Sequence, residues 1–426
     1  MQTFTLDFKR NKYIYLYYLF LHLVCLSWTN IEMVAPSSLL RIVVTFAVFA
    51  PLAKYIWMAP AVIILFVGLR FNSVAPFGYI PQSWQIFEFI IIIVWLINRI
   101  FFKKNSKNCF TRKQIVLFLF LFLVDLFNFQ PFSPIFLFVL MLYILYDCIT
   151  NRTQLNLALL SFIILTITLS IYYFVFAKEF TAIYYGSEAE RAMWIDPNYF
   201  GVVLGVGVII AGGYVFSAIK VTSNVVYKII FIVSIILGFM VIALQASRGA
   251  MLAVASALIV QMLFSSAKWY HKLIFILFTV LGIIYLFQSN YFTLLIDRTL
   301  YGTGDSGRSS IWISKLSEWS ENTFNLLGTG YGASVVKFTP YNYDCHNEFV
   351  SILINYGVLG IVVVLKEIVT FFTNYRNKSF IWSVVAFLIC SFMTLSPVTT
   401  STGWTACPLL ILLLYKFCQL EKRGEY

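Results

Sequence analysis

Apolar runs of membrane-spanning length recur along the whole of this sequence. A helix needs about 20 predominantly apolar residues to cross a hydrocarbon core of about 30 Å. Hydrophobic residues make up 61% of the chain and charged residues only 11%, and the hydrophobic residues are grouped in these runs. The pattern excludes a soluble protein and predicts an all-α, polytopic bundle of transmembrane helices.

The lengths of the runs predict fourteen spans, or twelve if the short second and third runs do not cross the membrane. The predicted spans are 13–28, 39–53, 55–70, 86–102, 114–129, 134–149, 155–177, 198–219, 227–246, 249–266, 272–288, 348–372, 379–395 and 404–418. They divide the chain into N-terminal transmembrane helices (1–177), an outer loop (178–197), central transmembrane helices (198–288), a large extracytoplasmic loop (289–347) and C-terminal transmembrane helices (348–426).

Lysine and arginine are concentrated in alternate loops, and this bias predicts the orientation of the bundle. Examples are Lys103, Lys220 and Lys268, which all fall on one side. Cytoplasmic loops carry such an excess, so both termini are predicted to be cytoplasmic. The net charge of +12 is therefore explained by topology. Because these residues do not line one face of a domain, the expected partner is the lipid bilayer and not a nucleic acid.

The large outer loop contains one amphipathic segment. Residues Ser309 to Phe324 place Ile311, Trp312, Lys315, Leu316 and Trp319 at helical spacing, which predicts a helix lying on the outer leaflet. Two glycine clusters, 302–307 and 328–332, bracket the segment and are interpreted as flexible joints. Neither cluster follows a strand or opens a βαβ unit, so nucleotide binding is not indicated.

Arginines at the outer face need an explanation, because this side is poor in positive charge. Arg248 and Ser247 lie where two predicted spans meet, and a guanidinium there either snorkels to water or binds an anion such as a phosphate. Arg308 precedes a helix start, where free amide groups favour negative charge; an ordinary solvated arginine is the alternative. Arg191 is a further candidate, although neighbouring glutamates could simply neutralise it.

His346 is one of three histidines in the chain and lies where the large loop enters a predicted span. Asp344 and Glu348 flank it, and this setting suits a proton-transfer group, although an inert loop histidine is the alternative. Asp196, before Pro197 and Asn198, also fits a simple helix cap.

The candidate residues suggest an outward-facing site for an anionic lipid head group, most simply a diphosphate. Arginines would hold a polyprenyl-diphosphate leaving group while a sugar hydroxyl attacks the anomeric carbon, and His346 or a nearby carboxylate would orient or deprotonate that hydroxyl. The seven cysteines form no CxxC pair, and no cluster has metal-ligand spacing, so a mechanism without metal or cofactor is predicted.

Four stretches, in this order and spacing, resemble the O-antigen ligase and polymerase superfamily. They are Asp196-Pro197-Asn198-Tyr199-Phe200, Ser247-Arg248-Gly249-Ala250-Met251-Leu252, Ser306-Gly307-Arg308-Ser309-Ser310-Ile311-Trp312, and His346-Asn347 followed by Gly357 and Gly360. The resemblance covers roughly residues 180 to 370. It implies a metal-independent glycosyltransferase of the bacterial cytoplasmic membrane that uses an undecaprenyl-diphosphate-linked oligosaccharide.

The resemblance also implies roles for individual residues. Arg248, Arg308 and His346 would be catalytic. The predicted contacts to the diphosphate or glycan are Arg191, Ser247, Asp196, Asn198, Asn347 and Glu348. A chain-length regulator membrane protein is a further expected partner.

Three functions share much of this pattern. A polymerase transfers the glycan to another lipid-linked repeat unit and is favoured, because bacterial glycan loci generally supply their own polymerase and no added domain follows the last span. A ligase transfers the glycan to the lipid A core. A flippase or other transporter would place ionisable groups between helices inside the membrane, where Asp125 and Lys366 are the main candidates.

Overall fold

A computed structural model describes most of the predicted spans and part of the large loop. The described residues are 12–26, 43, 47–69, 82–102, 112–128, 134–185, 197–216, 225–245, 247–266, 268–270, 272–273, 276–277, 284, 308–321, 326–334, 336–338, 341–343, 345–375, 378–395 and 406–424.

Helices dominate the described chain, which confirms the predicted all-α class. They are α1 (Lys12–Leu26), α2 (Ala59–Leu69), α3 (Gln82–Ile97), α4 (Arg112–Phe127), α5 (Pro134–Cys148), α6 (Arg152–Tyr185), α7 (Pro197–Val215), α8 (Val225–Leu244), α9 (Arg248–Phe264), α10 (Arg308–Ser320), α11 (Glu348–Asn374), α12 (Ser379–Thr394) and α13 (Ala406–Lys422). Short 3-10 helices, Ala50–Ala53 and Ile56–Met58, precede α2, and a π-helix, Asn98–Phe102, continues α3.

Four of the described helices are long and apolar enough to cross a membrane, judged by length and composition alone. They are Arg152–Val175, Asn198–Val215, Val226–Leu244 and Glu348–Asn374. Shorter apolar helices, among them α9 and α12, accompany them. Most predicted spans agree with the bounds of helices α1 to α13, but the predicted span 272–288 lies largely outside the described residues. The total of fourteen or twelve spans stays a prediction.

The chain forms two compact units, and the first is built from α1, α2, α3, α6, most of α5 and most of α13. Its core is apolar, and two sets of polar groups within it are hydrogen-bonded to each other. The hydroxyls of Tyr18 and Ser161 lie 2.6 Å apart. Asp147 accepts hydrogen bonds from the Arg99 guanidinium at 2.7 Å and the Trp95 indole at 2.9 Å.

The second unit contains residues 112–138 and 196–408. Its core is the packing of α9 against α7 and α12. A Cβ added at Gly201 would lie 2.7 Å from the Ala250 Cβ, and one added at Gly205 would lie 2.8 Å from Val254. Small residues of this kind let membrane helices approach closely. At one level of this core, the Gln261 amide donates to the Ile209 carbonyl at 2.7 Å.

The large loop contains a hairpin that the sequence did not predict. Strand β1 (Val336–Phe338) pairs antiparallel with β2 (Tyr341–Tyr343), with Lys337 opposite Asn342. Strands of three residues carry too little alternation to be recognised from sequence. The amphipathic segment does form a helix, α10, which ends at Ser320.

Candidate functional site

Two of the sequence motifs meet at the starts of α7 and α9. The Ser247 hydroxyl donates to the Asn198 side-chain oxygen at 3.0 Å. Ser247 is the N-cap residue of α9, but its side chain makes no capping bond and reaches α7 instead. Gly201, one turn into α7, allows this contact, because a Cβ there would lie 3.2 Å from the Ser247 hydroxyl oxygen. Arg248 follows as the first residue of α9 and is exposed.

Thr394, the last residue of α12, brings the third motif to the same place. The Arg308 guanidinium donates to the Thr394 carbonyl at 3.3 Å. A Cβ added at Gly249 would lie 2.8 Å from both the Cβ and the hydroxyl oxygen of Thr394. Arg308 and Arg248 therefore approach the same helix end, although 60 residues separate them in sequence.

Trp312 joins the third motif to the fourth. It lies one turn after Arg308 in α10, and its indole N–H donates to the Cys345 carbonyl at 2.7 Å. Lys315, on the same face of α10 as Trp312, is buried and donates to the Ala333 carbonyl at 3.2 Å. The amphipathic helix was predicted to lie on the outer leaflet, but these hydrogen bonds show that Trp312 and Lys315 contact protein. The indole N–H of Trp312 and the ammonium of Lys315 explain the difference, since both donate to backbone carbonyls of the large loop.

His346 occupies an unusual backbone conformation between Cys345 and α11. Its φ of 53° lies in the left-handed region, and it is the non-glycine residue with positive φ among the described residues. Such a conformation costs about 1–3 kcal/mol and persists when the surroundings hold it. The side chain is half-buried, and its Nδ1 is buried without a hydrogen-bond partner in the described part of the chain.

Asn347 and Glu348 begin α11 directly after the histidine. The Asn347 side chain accepts a hydrogen bond from the Val350 amide at 3.2 Å, so it caps the helix. Glu348 is fully buried in the first turn, where the helix dipole favours a negative charge. Both residues thus have structural roles at this helix start, beside the substrate contacts predicted for them.

The second glycine cluster docks on a kink in α11. Gly357 has non-helical dihedrals, φ 65° and ψ −166°, which free backbone carbonyls in the preceding turn. The amides of Thr329 and Gly330 donate to the carbonyls of Ile354 and Asn355 at 3.0 and 2.9 Å. Residues 328–332 are therefore not the flexible joint that was predicted, because backbone hydrogen bonds tie them to α11. The first cluster, 302–307, lies outside the described residues.

These contacts gather the starts of α7, α9 and α11 and the end of α12 at one end of the second unit. Helix N-termini carry partial positive charge and free N–H groups, which suit anions. Arg248 and Arg308 add two full charges with planar, forked donors that match phosphate oxygens. His346 lies within the same set of contacts through Trp312. The arrangement can hold an anionic group and place an imidazole beside it.

Two predicted site residues, Arg191 and Asp196, lie outside the described residues, so the structure does not locate them. The remaining seven fall in the contacts above. The sequence did not predict the role of Thr394, which acts through its backbone carbonyl, and it indicated for Trp312 only a place in the amphipathic segment. Within the described residues, no three His, Cys, Asp or Glu side chains form a group that could hold a metal ion. Metal independence stays a prediction.

Comparison with known families matches one segment of this chain. Residues 232–365 match the O-antigen ligase family. This segment, less than half of the chain, runs from α8 into α11 and contains Ser247, Arg248, Arg308 and His346. The match confirms the resemblance to the O-antigen ligase and polymerase superfamily, and with the apolar helices it defines a membrane protein with a ligase- or polymerase-type function. Among curated proteins, none matches the chain in sequence.

Proposed function

We propose that this protein is an envelope polysaccharide polymerase. It would transfer a glycan from undecaprenyl diphosphate to a lipid-linked repeat unit at the outer face of the bacterial cytoplasmic membrane. The observation that carries this proposal is the convergence of the motifs on Thr394: Arg308 donates to its carbonyl, and the residue next to Arg248 packs against its side chain.

The proposed reaction needs a nucleophile, a base and a stabilised leaving group. The acceptor hydroxyl oxygen attacks the anomeric carbon, and the bond from that carbon to the diphosphate oxygen breaks, leaving its electron pair on the diphosphate. The hydroxyl proton passes to His346. Because Nδ1 is turned into the protein, Nε2 is the nitrogen left for the acceptor. General bases of this kind contribute about 10²- to 10⁴-fold to a rate.

Arg248 and Arg308 would bind the diphosphate and stabilise the charge that develops on it. Arg248 is exposed at a helix N-terminus, so a substrate phosphate can reach it. Arg308 already satisfies a carbonyl at the end of α12. Its present bond at 3.3 Å is long for an N–H···O bond, and a guanidinium has further donors for a phosphate. Arg191, Asp196, Asn198, Ser247, Asn347 and Glu348 stay proposed contacts to the diphosphate or glycan.

The alternatives differ in acceptor or in reaction. A ligase would use the same site but pass the glycan to the lipid A core, and no contact in the site separates the two acceptors. A transporter is less well supported: the Asp125 carboxylate accepts a backbone amide at 3.0 Å, and Lys366 is exposed on α11. Lys366 therefore does not resemble a buried ionisable group between transport helices.

Complementation of a deletion strain tests the proposal. The strain receives wild type, His346→Ala or Arg248→Ala at equal membrane abundance, and the surface glycan is separated by gel. We expect single repeat units in the deletion strain and a full ladder only with wild type. A Gln261→Ala variant, altered in the helix core away from the site, serves as the control and should restore the ladder.

Other outcomes would contradict the polymerase. Long glycan retained on the lipid carrier would identify a ligase, and repeat units trapped on the cytoplasmic side would identify a transporter. A full ladder with both site variants would show that the reaction needs neither His346 nor Arg248.

A further inference from the structure

Asp125 lies in α4, outside the segment that matches the O-antigen ligase family, yet it contacts the large loop. It is 3% exposed, and its carboxylate accepts a hydrogen bond from the Tyr331 backbone amide at 3.0 Å. Residues 112–138 cluster with the site-bearing second unit, whereas residues 1–111 do not. The α4 helix is therefore part of the framework of the site.

Tyr331 belongs to a loop, residues 326–334, that is held on several sides. On the side of α11, the Thr329 and Gly330 amides bond the carbonyls before the kink. The Ser334 amide donates to the buried Asn355 side chain at 2.9 Å. On the side of α10, Lys315 donates to the Ala333 carbonyl. Asp125 supplies a further attachment, to α4.

Helices α10 and α11, which hold this loop, also position residues that we propose to be catalytic. Arg308 opens α10, two turns before Lys315, and His346 lies two residues before α11. A shift of the 326–334 loop would therefore move Arg308 and His346 relative to each other. Misplacement of reacting groups by about 1 Å can cost about 100-fold in rate.

We propose that Asp125 is a positioning residue for glycan transfer, acting through the Tyr331 amide and the 326–334 loop. Its carboxylate serves as a hydrogen-bond acceptor, and its negative charge is not needed for the role. This proposal rests on the proposed function for its rate measurement but not for its structural measurement. An asparagine at this position keeps an oxygen that can accept the same N–H bond, whereas an alanine does not.

The test compares Asp125→Ala and Asp125→Asn with wild type in two measurements on purified protein. The first is hydrogen–deuterium exchange of the Thr329, Gly330 and Tyr331 amides. The second is kcat/KM for elongation of a lipid-linked repeat unit. We expect Asp125→Ala to speed exchange at these amides and to lower kcat/KM at least about tenfold. Asp125→Asn should keep exchange near wild type and kcat/KM within about threefold.

Gln261→Ala is the matched control for a loss that is merely structural. Its amide makes two hydrogen bonds within the same unit, to the Ile209 carbonyl and the Ser383 hydroxyl. We expect this variant to unfold at a lower temperature while the loop amides stay protected and kcat/KM of the folded protein is kept.

Each contrary result has a distinct meaning. Loop amides that exchange in Asp125→Ala as slowly as in wild type would overturn the anchoring role. Equal loss of rate in Asp125→Asn and Asp125→Ala, with the amides protected in Asp125→Asn, would show that the charge itself is required and would overturn the positioning role. A wild type that elongates nothing would contradict the proposed function, and the exchange data would still decide whether Asp125 holds the loop.

Discussion

Two buried aspartates show how differently the two units use polar groups. In the first unit, Asp147 is paired with the Arg99 guanidinium and the Trp95 indole, so the charge is neutralised by side chains of neighbouring helices. In the second unit, Asp125 accepts a backbone amide from the large loop. The first arrangement joins two helices, and the second joins a helix to the loop that we propose to position the site.

The arginines differ in the same way. Arg99 is only 19% exposed and is bound to a carboxylate 2.7 Å away. Arg248 is exposed at a helix start, and Arg308 contacts a backbone carbonyl. Arg99, which serves the fold, is thus paired with an opposite charge, whereas Arg308 contacts a neutral carbonyl and Arg248 is exposed at a helix start. Substitution of Arg99 should therefore lower the stability of the protein, whereas substitution of Arg248 or Arg308 should lower the transfer rate.

The largest expected effect separates Arg248 from Arg99. Arg248→Ala should lower the transfer rate at least about 100-fold, since removing one donor to a developing charge costs about 10² to 10³. Arg248→Lys should also lose much of the rate, because lysine lacks the forked geometry. Thermal unfolding in detergent should stay near wild type for both. Elongation assays at matched protein concentration measure the rates.

Arg99→Ala is the counterpart in the first unit. It leaves the Asp147 carboxylate buried without its cation, and such changes cost about 3 kcal/mol or more of stability. We expect a lower unfolding midpoint and an unchanged rate for the molecules that stay folded. The comparison fails if Arg248→Ala mainly unfolds the protein or if Arg99→Ala abolishes transfer in folded protein.

A smaller effect is expected at the glycines of the docked loop. Gly328 and Gly332 have nearly the same positive φ, 80° and 83°. A Cβ at Gly328 would lie 2.5 Å from backbone atoms of Asn355 and Tyr356, whereas nothing lies within 4 Å of one at Gly332. Both alanine variants should pay a backbone cost of about 1 kcal/mol, and Gly328→Ala should lose about 2 kcal/mol more through overpacking. Equal unfolding midpoints would show that the loop is not docked on α11.

The smallest effect is expected at Trp312. Trp312→Phe keeps an aromatic side chain but removes the indole N–H that donates to the Cys345 carbonyl, a loss of about 1 kcal/mol. Because this bond holds the peptide before His346, the transfer rate should fall about fivefold, in keeping with that free energy. Trp319→Phe is the control, since the Trp319 indole N–H has no hydrogen-bond partner among the described residues. A rate that falls equally in both variants would assign the effect to packing of α10.

Much of the fold could be predicted because hydrophobic runs carry the signal for membrane helices. The predicted span 348–372 and the observed α11, Glu348–Asn374, agree closely. The predicted span 39–53 is described only in part, at residues 43 and 47–53, where it ends in a 3-10 helix with Pro51 in its first turn. The kink at Gly357 was not predicted, since an isolated glycine in a helix signals only a modest loss of stability.

The site was predictable where charged side chains act and unpredictable where backbone groups act. Arg248, Arg308 and His346 stand out because the face predicted to be outer is poor in positive charge. The Thr394 carbonyl and the Tyr331 amide carry no sequence signal, because every non-proline residue has both groups. Asp125 was noted as a charge within a span, but its partner lies 206 residues away in sequence. Only the folded chain shows that contact.

Elongation by the purified protein in proteoliposomes is the most direct test of the central claim. The substrate is an undecaprenyl-diphosphate-linked repeat unit, without nucleotide sugar or any other protein, and the products are resolved by chain length. We predict lipid-linked chains of two and more repeat units with wild type, one undecaprenyl diphosphate released for each new bond, and no elongation with folded His346→Ala or Arg248→Ala. No elongation by wild type, or equal elongation by both variants, would contradict the account.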